Sequence, residues 1–175
     1  QITPITIHDY ANRAYVDYCE SNIGNGKSIL LRHADYLVDN VSERRSYASW
    51  DYEFAIDKYG LETGWHSSIG NAGAMVTLLH AYSLTRDERY IATIESALEG
   101  FRTPLSEGGL ANPADVDGVW FEEYPNPIDP STVLNGHLFS VIVLDYISIS
   151  LSRINESEYN SIKENLESLF DQCSK

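Results

Sequence analysis

Apolar residues recur at helical spacing along nearly the whole chain, which leaves little room for a fold built on sheets. Ile7, Tyr10, Ala11, Ala14, Tyr15 and Tyr18 make one stripe behind a Thr6 cap, and Leu30, Ala34, Leu37 and Val41 make a second. Met75, Leu78, Leu79 and Tyr82 mark a third helix, beginning after Trp65. Thr85-Arg86-Asp87-Glu88 reads as a capping box, with Glu88 placed to reach back to the cap amide. Behind it runs a fourth stripe of Ile91, Ile94, Ala97, Leu98 and Phe101. Ser131 or Thr132 caps a long fifth helix to about Leu151, and Asn155 with Glu158 starts a sixth that runs to about Phe170. Joined pairwise by short turns, these predict three helical hairpins in a single domain over residues 1–175.

Two longer connections break the pattern. Residues 42–66 carry Tyr47, Trp50, Tyr52, Phe54, Tyr59 and Trp65, and Ser46 to Ile56 alternate enough for a strand. Residues 103–130 hold all but one of the six prolines, and Val116 to Tyr124 can form a hairpin strand. Each precedes an odd-numbered helix, so in a ring of hairpins both lie at one rim. Such loops on a rigid scaffold commonly carry function. The expected architecture is all-α: an incomplete α/α toroid with a short β-hairpin in the loops of one rim. Its open side needs a cover, which predicts a homodimer or an exposed apolar groove.

Charge narrows the partners. Lys+Arg 12 against Asp+Glu 26 gives 12 − 26 = −14, which repels polyanions and excludes nucleic acid as a natural partner. A highly sulfated glycan is disfavoured for the same reason, unless Arg13, Arg32, Arg44, Arg45 and Arg102 build a local basic cleft. Cys19 and Cys173 have no close-spaced partners, so no zinc or redox motif is present, and a disulfide between them and two free thiols are both open. No apolar run is expected to approach membrane-spanning length, and residues 1–10 do not read as a signal peptide. Localisation is left open. Asp115, Asp117 and Asp129 lack calcium-loop spacing, and no phosphate-cradling glycine motif occurs, so neither metal nor cofactor is expected.

The densest chemistry lies in Trp120-Phe121-Glu122-Glu123-Tyr124-Pro125, followed by Val133-Leu134-Asn135-Gly136. Aromatic faces bind sugar rings, and a carboxylate or phenol among them can move a proton. Alternation along a strand would place Glu122 with Tyr124 on one face and Glu123 with Phe121 on the other, unless Pro125 bends the backbone and brings Glu123 and Tyr124 to one cleft. The two carboxylates are therefore not expected to flank one bond as a glycosidase pair does. Glu122 also reads as part of a solvated face.

These two motifs closely resemble the signature of the C-terminal domain of D-glucuronyl C5-epimerases. The blocks Ala34-Asp35-Tyr36-Leu37-Val38-Asp39-Asn40, Tyr59-Gly60-Leu61-Glu62-Thr63-Gly64-Trp65, Gly70-Asn71-Ala72-Gly73-Ala74 and Leu79-His80-Ala81-Tyr82-Ser83-Leu84-Thr85 resemble the family in the same order, over roughly residues 7 to 170. The family pattern continues into a further hairpin with additional active-site tyrosines, so the domain is expected to lack its last hairpin. The animal enzymes' β-rich amino-terminal region is also without a counterpart.

The resemblance implies an α/α barrel and a carbohydrate-active isomerase that inverts C5 of uronic acid residues in a polysaccharide, including those of heparan type. It implies Glu123 and Tyr124 as catalytic residues. Tyr52, Trp65, His66, Trp120, Glu122 and Asn135 are the expected substrate-binding residues. His137 is a further candidate for proton transfer, His33 and His80 read as packed residues, and His8 as a surface one. Two other readings share the cleft: a polysaccharide lyase or hydrolase on the same scaffold, and a non-catalytic glycan-binding or assembly module.

Overall fold

The computed structural model describes residues 2–21, 24–44, 46–113 and 118–154. The chain is mostly helical, with helices α1 (Pro4–Ser21), α2 (Gly26–Asp39), α3 (Ser68–Thr85), α4 (Glu88–Arg102) and α5 (Leu134–Ile154). Three antiparallel pairs occupy the connections: β1 (Ser42–Glu43) with β2 (Ala48–Ser49), β3 (Asp51–Tyr52) with β4 (Trp65–His66), and β5 (Ala111–Pro113) with β6 (Val119–Phe121). The expected sixth helix, Arg45, Asp115, Asp117 and Cys173 lie outside the described residues. Cys19 is exposed on α1.

The predicted stripes form the core, but several boundaries differ from the sequence reading. Thr3 caps α1, not Thr6: the Thr3 N–H donates to Thr6 Oγ1 (2.8 Å) and the Thr6 N–H donates to Thr3 Oγ1 (3.3 Å). This is a reciprocal box with threonine in the place of the usual Glu, and Pro4 follows it where no N–H is needed. α3 ends as Arg86 turns left-handed (φ 61°), and Asp87 then caps α4 by accepting from the Arg89 N–H. Thr85 and Glu88 therefore do not form the expected box. Tyr10 leaves the first stripe and is exposed, whereas His8 is buried, its Nδ1 3.3 Å from Thr77 Oγ1.

α3 is the axis of the domain, packed on α1, α2, α4 and α5 and buried continuously from Gly70 to Tyr82. Its small residues let large partners approach. A Cβ on Gly70 would stand 2.8 Å from the Tyr52 hydroxyl, and one on Gly73 would stand 3.0 Å from the His8 ring.

α5 differs. Val143, Leu144, Ile147 and Leu151 enter the same core, while Leu134, Leu138, Ile142, Tyr146 and Ile149 are exposed. Among the described residues these side chains form an exposed apolar surface along α5. By length and composition alone, Leu134–Arg153 is also long and apolar enough to cross a membrane, contrary to the expectation that no run approaches that length. Its buried side has a protein partner in α3, so apolarity by itself establishes no span.

The strand expected from Ser46 to Ile56 is divided. β2 and β3 pair with different partners because Trp50, between them, turns into the core and donates its indole N–H to the Leu37 carbonyl (2.9 Å). Among the described residues, the second expected strand covers Val119–Phe121.

Candidate functional site

The two long connections meet at the start of α3. The Ser68 N–H donates to the Glu122 carbonyl (3.1 Å), which joins the end of one connection to the middle of the other. Tyr59 stacks on Tyr124 with ring centres 4.0 Å apart and an 11° interplanar angle, and the Asn126 amide donates to the Tyr59 carbonyl (2.9 Å). Trp65 stacks on Tyr52 (4.2 Å, 12°), donates its indole N–H to the Phe54 carbonyl (2.7 Å), and has its ring centre 5.8 Å from that of Tyr124. Tyr52, Phe54, Tyr59, Trp65 and Tyr124 thus form one aromatic wall.

Beside that wall the two adjacent glutamates part company. The β5–β6 pairing ends with the Glu122 N–H on the Leu110 carbonyl (3.0 Å), and the residues after it are released from strand alternation. Glu122 is fully buried, not solvated. Its Oε1 accepts from the Asn112 amide (2.8 Å), and its Oε2 accepts from the Ser131 hydroxyl and the Thr132 N–H (both 3.1 Å). This carboxylate folds the loop. Ser131 and Thr132 are consumed by it, Thr132 at φ 45°, instead of capping α5.

Glu123 is half-buried against the first turn of α5, where Asn135 Nδ2 lies 3.3 Å from its Oε2. A Cβ on Gly136 would fall 2.5 Å from Glu123 Cβ and 2.7 Å from Oε2, so only glycine admits the glutamate here. Burial, the neighbouring Glu123 carboxylate and the charge of Tyr59 push the Tyr124 phenol up to about 12. At neutral pH it is a phenol, a donor. Burial raises Tyr52 even further, helped by the charges of Glu123 and Tyr124, which sets it in the same field.

Five of the eight expected site residues are therefore brought together: Tyr52, Trp65, Glu123, Tyr124 and Asn135. Three are not. Glu122 turns inward. His66 is on the other side of β4 from Trp65, buried with its Nε2 3.3 Å from the Tyr47 hydroxyl, and burial followed by the charge of Arg44 depresses it to about 3. Trp120 stacks on His137 (4.4 Å, 14°), and the Phe121 N–H donates to His137 Nδ1 (3.1 Å). His137 thus organises β6 against α5, and burial lowers its pKa. Three of the candidate arginines are paired with carboxylates: Arg13 with Asp17, Arg44 with Asp51 (2.7 Å) and Arg102 with Glu99. Sequence reasoning missed Tyr59 and Asn126 as members of the site. Their only signal was the aromatic density of one connection and an Asn between two prolines in the other.

Fold and site together define a domain of helical hairpins with an aromatic, carboxylate-bearing cleft where its two long connections meet. Residues 43–175 match the family described as D-glucuronyl C5-epimerase C-terminus, and the chain belongs to that family. The chain is 32% identical over 126 residues to a D-glucuronyl C5-epimerase of Caenorhabditis elegans, covering 71% of this chain and 20% of that protein. It is 29% identical over 159 residues to an uncharacterized protein of Methanocaldococcus jannaschii, covering 81% of this chain and 51% of that protein. The chain thus spans about half the length of one curated relative and a fifth of the other.

Proposed function

We propose that this domain is a carbohydrate-active isomerase that inverts C5 of uronic acid residues in a polysaccharide, with Glu123 and Tyr124 moving the proton. The observation that carries the reading is Glu123, seated on Gly136 beside Asn135, next to Tyr124 in a wall of stacked rings. Family membership supplies the reaction class.

C5 of a uronate is α to a carboxylate. Breaking the C5–H bond sends its electron pair into that carboxylate and gives an enolate-like dianion, which is the costly species. In our reading the Glu123 carboxylate accepts the C5 proton. Tyr124, held as a phenol, returns a proton to the opposite face. The sugar ring lies between Glu123 and Tyr124, so that the two groups address C5 from its two sides. Afterwards a proton passes from Glu123 to the phenolate and resets the pair. Asn135 donates to the substrate, and Trp65 with Tyr59 and Tyr52 offers a stacking face.

The ring completed by further helices, and a substrate of heparan type, belong to the same proposal. A homodimer formed through the open side would require a second copy to cover Leu134, Leu138 and Ile149 of α5. Sedimentation equilibrium reads this directly, and a monomer at high concentration removes it.

The decisive assay is loss of the C5 proton signal of an unsulfated glucuronate oligosaccharide in deuterated water. Exchange is expected with the native chain. Tyr124→Phe should lower its rate by about 10²–10⁴-fold, the usual worth of a positioned acid or base, with the fold intact. Exchange at the native rate in Tyr124→Phe removes Tyr124 from the mechanism. Binding without exchange moves the chain to the glycan-binding reading, and an unsaturated product or a new reducing end moves it to a lyase or hydrolase.

A further inference from the structure

A second cleft lies between α1, α3 and α5, away from the glutamate–tyrosine pair. Its lining includes His8, Asn12, Tyr15, His80, Phe139 and Tyr146, and its volume is about 380 Å³. Tyr52 crowds Gly70 of α3, and Glu123 packs on Gly136 of α5. Along those helices the lining runs from Val76 and Phe139, six and three residues on, to His80 and Tyr146, ten residues on. At 1.5 Å per residue the cleft begins about 5 Å beyond the first site and reaches about 15 Å from it.

Its polar atoms are not fully used by the protein. His80 is 5% exposed, with Tyr15 stacked flat on it (3.9 Å, 14°). Its Nε2 is 2.9 Å from the Tyr146 hydroxyl, and its buried Nδ1 has no partner among the described residues. Of the two tautomers, one leaves an N–H orphaned at Nδ1 and the other leaves only a lone pair. An orphaned buried N–H is the rarer and costlier defect. The proton therefore belongs on Nε2, which donates to Tyr146, so the Tyr146 O–H is left to donate elsewhere.

His8 is set the opposite way. Thr77 gives its hydroxyl proton to the Gly73 carbonyl (3.1 Å), so His8 Nδ1–H donates to Thr77 and His8 Nε2 remains an acceptor. The Asn12 side chain is half-buried, and its amide has no hydrogen bond to another described residue. Donor, acceptor and amide stand beside apolar Val16, Val76, Phe139 and Ile142, and among the described residues no Asp, Glu, Lys or Arg lines the cleft. Burial keeps both histidines neutral, His80 down to about 4.

We propose that this cleft is a second binding site, for a neutral hydroxyl-bearing pyranose, in which the Tyr146 O–H donates to the sugar and the apolar wall takes its C–H face. A uronate would bring a charge that nothing here compensates. An apolar ligand would bury the Tyr146 hydroxyl and the Asn12 amide unpaired. The site does not depend on the epimerase reading.

Cellobiose and glucuronic acid serve as probes, with saturation-transfer NMR on the full chain and backbone shift mapping. Cellobiose is expected to perturb α1, α3 and α5 around Tyr15, His80 and Tyr146 with millimolar affinity, and glucuronic acid is not. Tyr146→Phe keeps the ring at this partly exposed position and should weaken cellobiose at least fivefold. Tyr124→Phe should leave cellobiose binding unchanged. The proposal is overturned by no cellobiose binding, by shifts confined to the Glu123 region, by unchanged affinity in Tyr146→Phe, or by a second copy of the chain protecting the cleft. The C5 exchange assay reads the other site, so the two proposals fail separately.

Discussion

Glu122 and Glu123 are neighbours in sequence, yet they belong to two different regions. Around Glu122 everything is satisfied: three donors converge on a carboxylate with no access to water. Around Glu123 little is satisfied: one long amide contact at a half-buried position. The first region spends its polar groups on holding the loop, and the second keeps its polar groups for something that is not protein. A buried carboxylate with a complete donor set is architecture, whereas an under-supplied one beside stacked rings is positioned for chemistry.

The sharpest test of that contrast is Glu122→Leu. It leaves the Asn112 amide, the Ser131 hydroxyl and the Thr132 N–H unpaired in a buried place, at about 1–3 kcal/mol for each such group before relaxation. We expect a loss of about 3–5 kcal/mol in urea unfolding, against less than about 1 kcal/mol for Glu123→Gln at the half-exposed position. Comparable losses in the two variants would erase the distinction. Gly136→Ala lies on the boundary between the regions. Its Cβ must displace Glu123, so stability should fall by about 1–3 kcal/mol, and C5 exchange should fall with it. An alanine variant with native stability and rate would show that Glu123 does not need this seat.

The last test is in pH. His66 is held neutral to about 3 in the folded chain against an ordinary value near 6.5, so the unfolded chain binds the extra proton first. The His66 contribution is complete above about pH 6.5 and is lost as the pH falls toward 3. Tyr124 runs the other way. Its folded value of about 12 exceeds the ordinary value near 10, so its contribution is complete below about pH 10 and is lost as the pH rises toward 12. His66→Gln should flatten the acid limb of a stability profile, and Tyr124→Phe the alkaline limb. If each substitution altered the opposite limb, both assignments would fail.

Periodicity and two motifs made most of the scaffold legible. The stripe from Ile91 to Phe101 is buried as read, and so are Leu30, Ala34 and Leu37, because a 3.6-residue repeat has one physical meaning. Caps were misplaced by a few residues because Thr3, Thr6, Thr85 and Asp87 all have suitable oxygens, and backbone geometry alone chooses among them. Pro125 did mark a loop in which Glu123 and Tyr124 meet, but the inward turn of Glu122 was invisible. Its donors, Asn112 and the pair Ser131–Thr132, come from ten residues on either side, and no local rule couples them. The stacking of Tyr59 on Tyr124 spans a still longer separation and left no trace in spacing.

That stack, with the Asn126 amide on the Tyr59 carbonyl and the Ser68 N–H on the Glu122 carbonyl, has a consequence for motion. Neither connection can lift away alone without unstacking a ring and stranding a buried backbone group. Opening of this rim should therefore be an all-or-none event, with the amides of Gly60, Gly64 and Asn126 exchanging with solvent at one common rate although they come from separate stretches of chain.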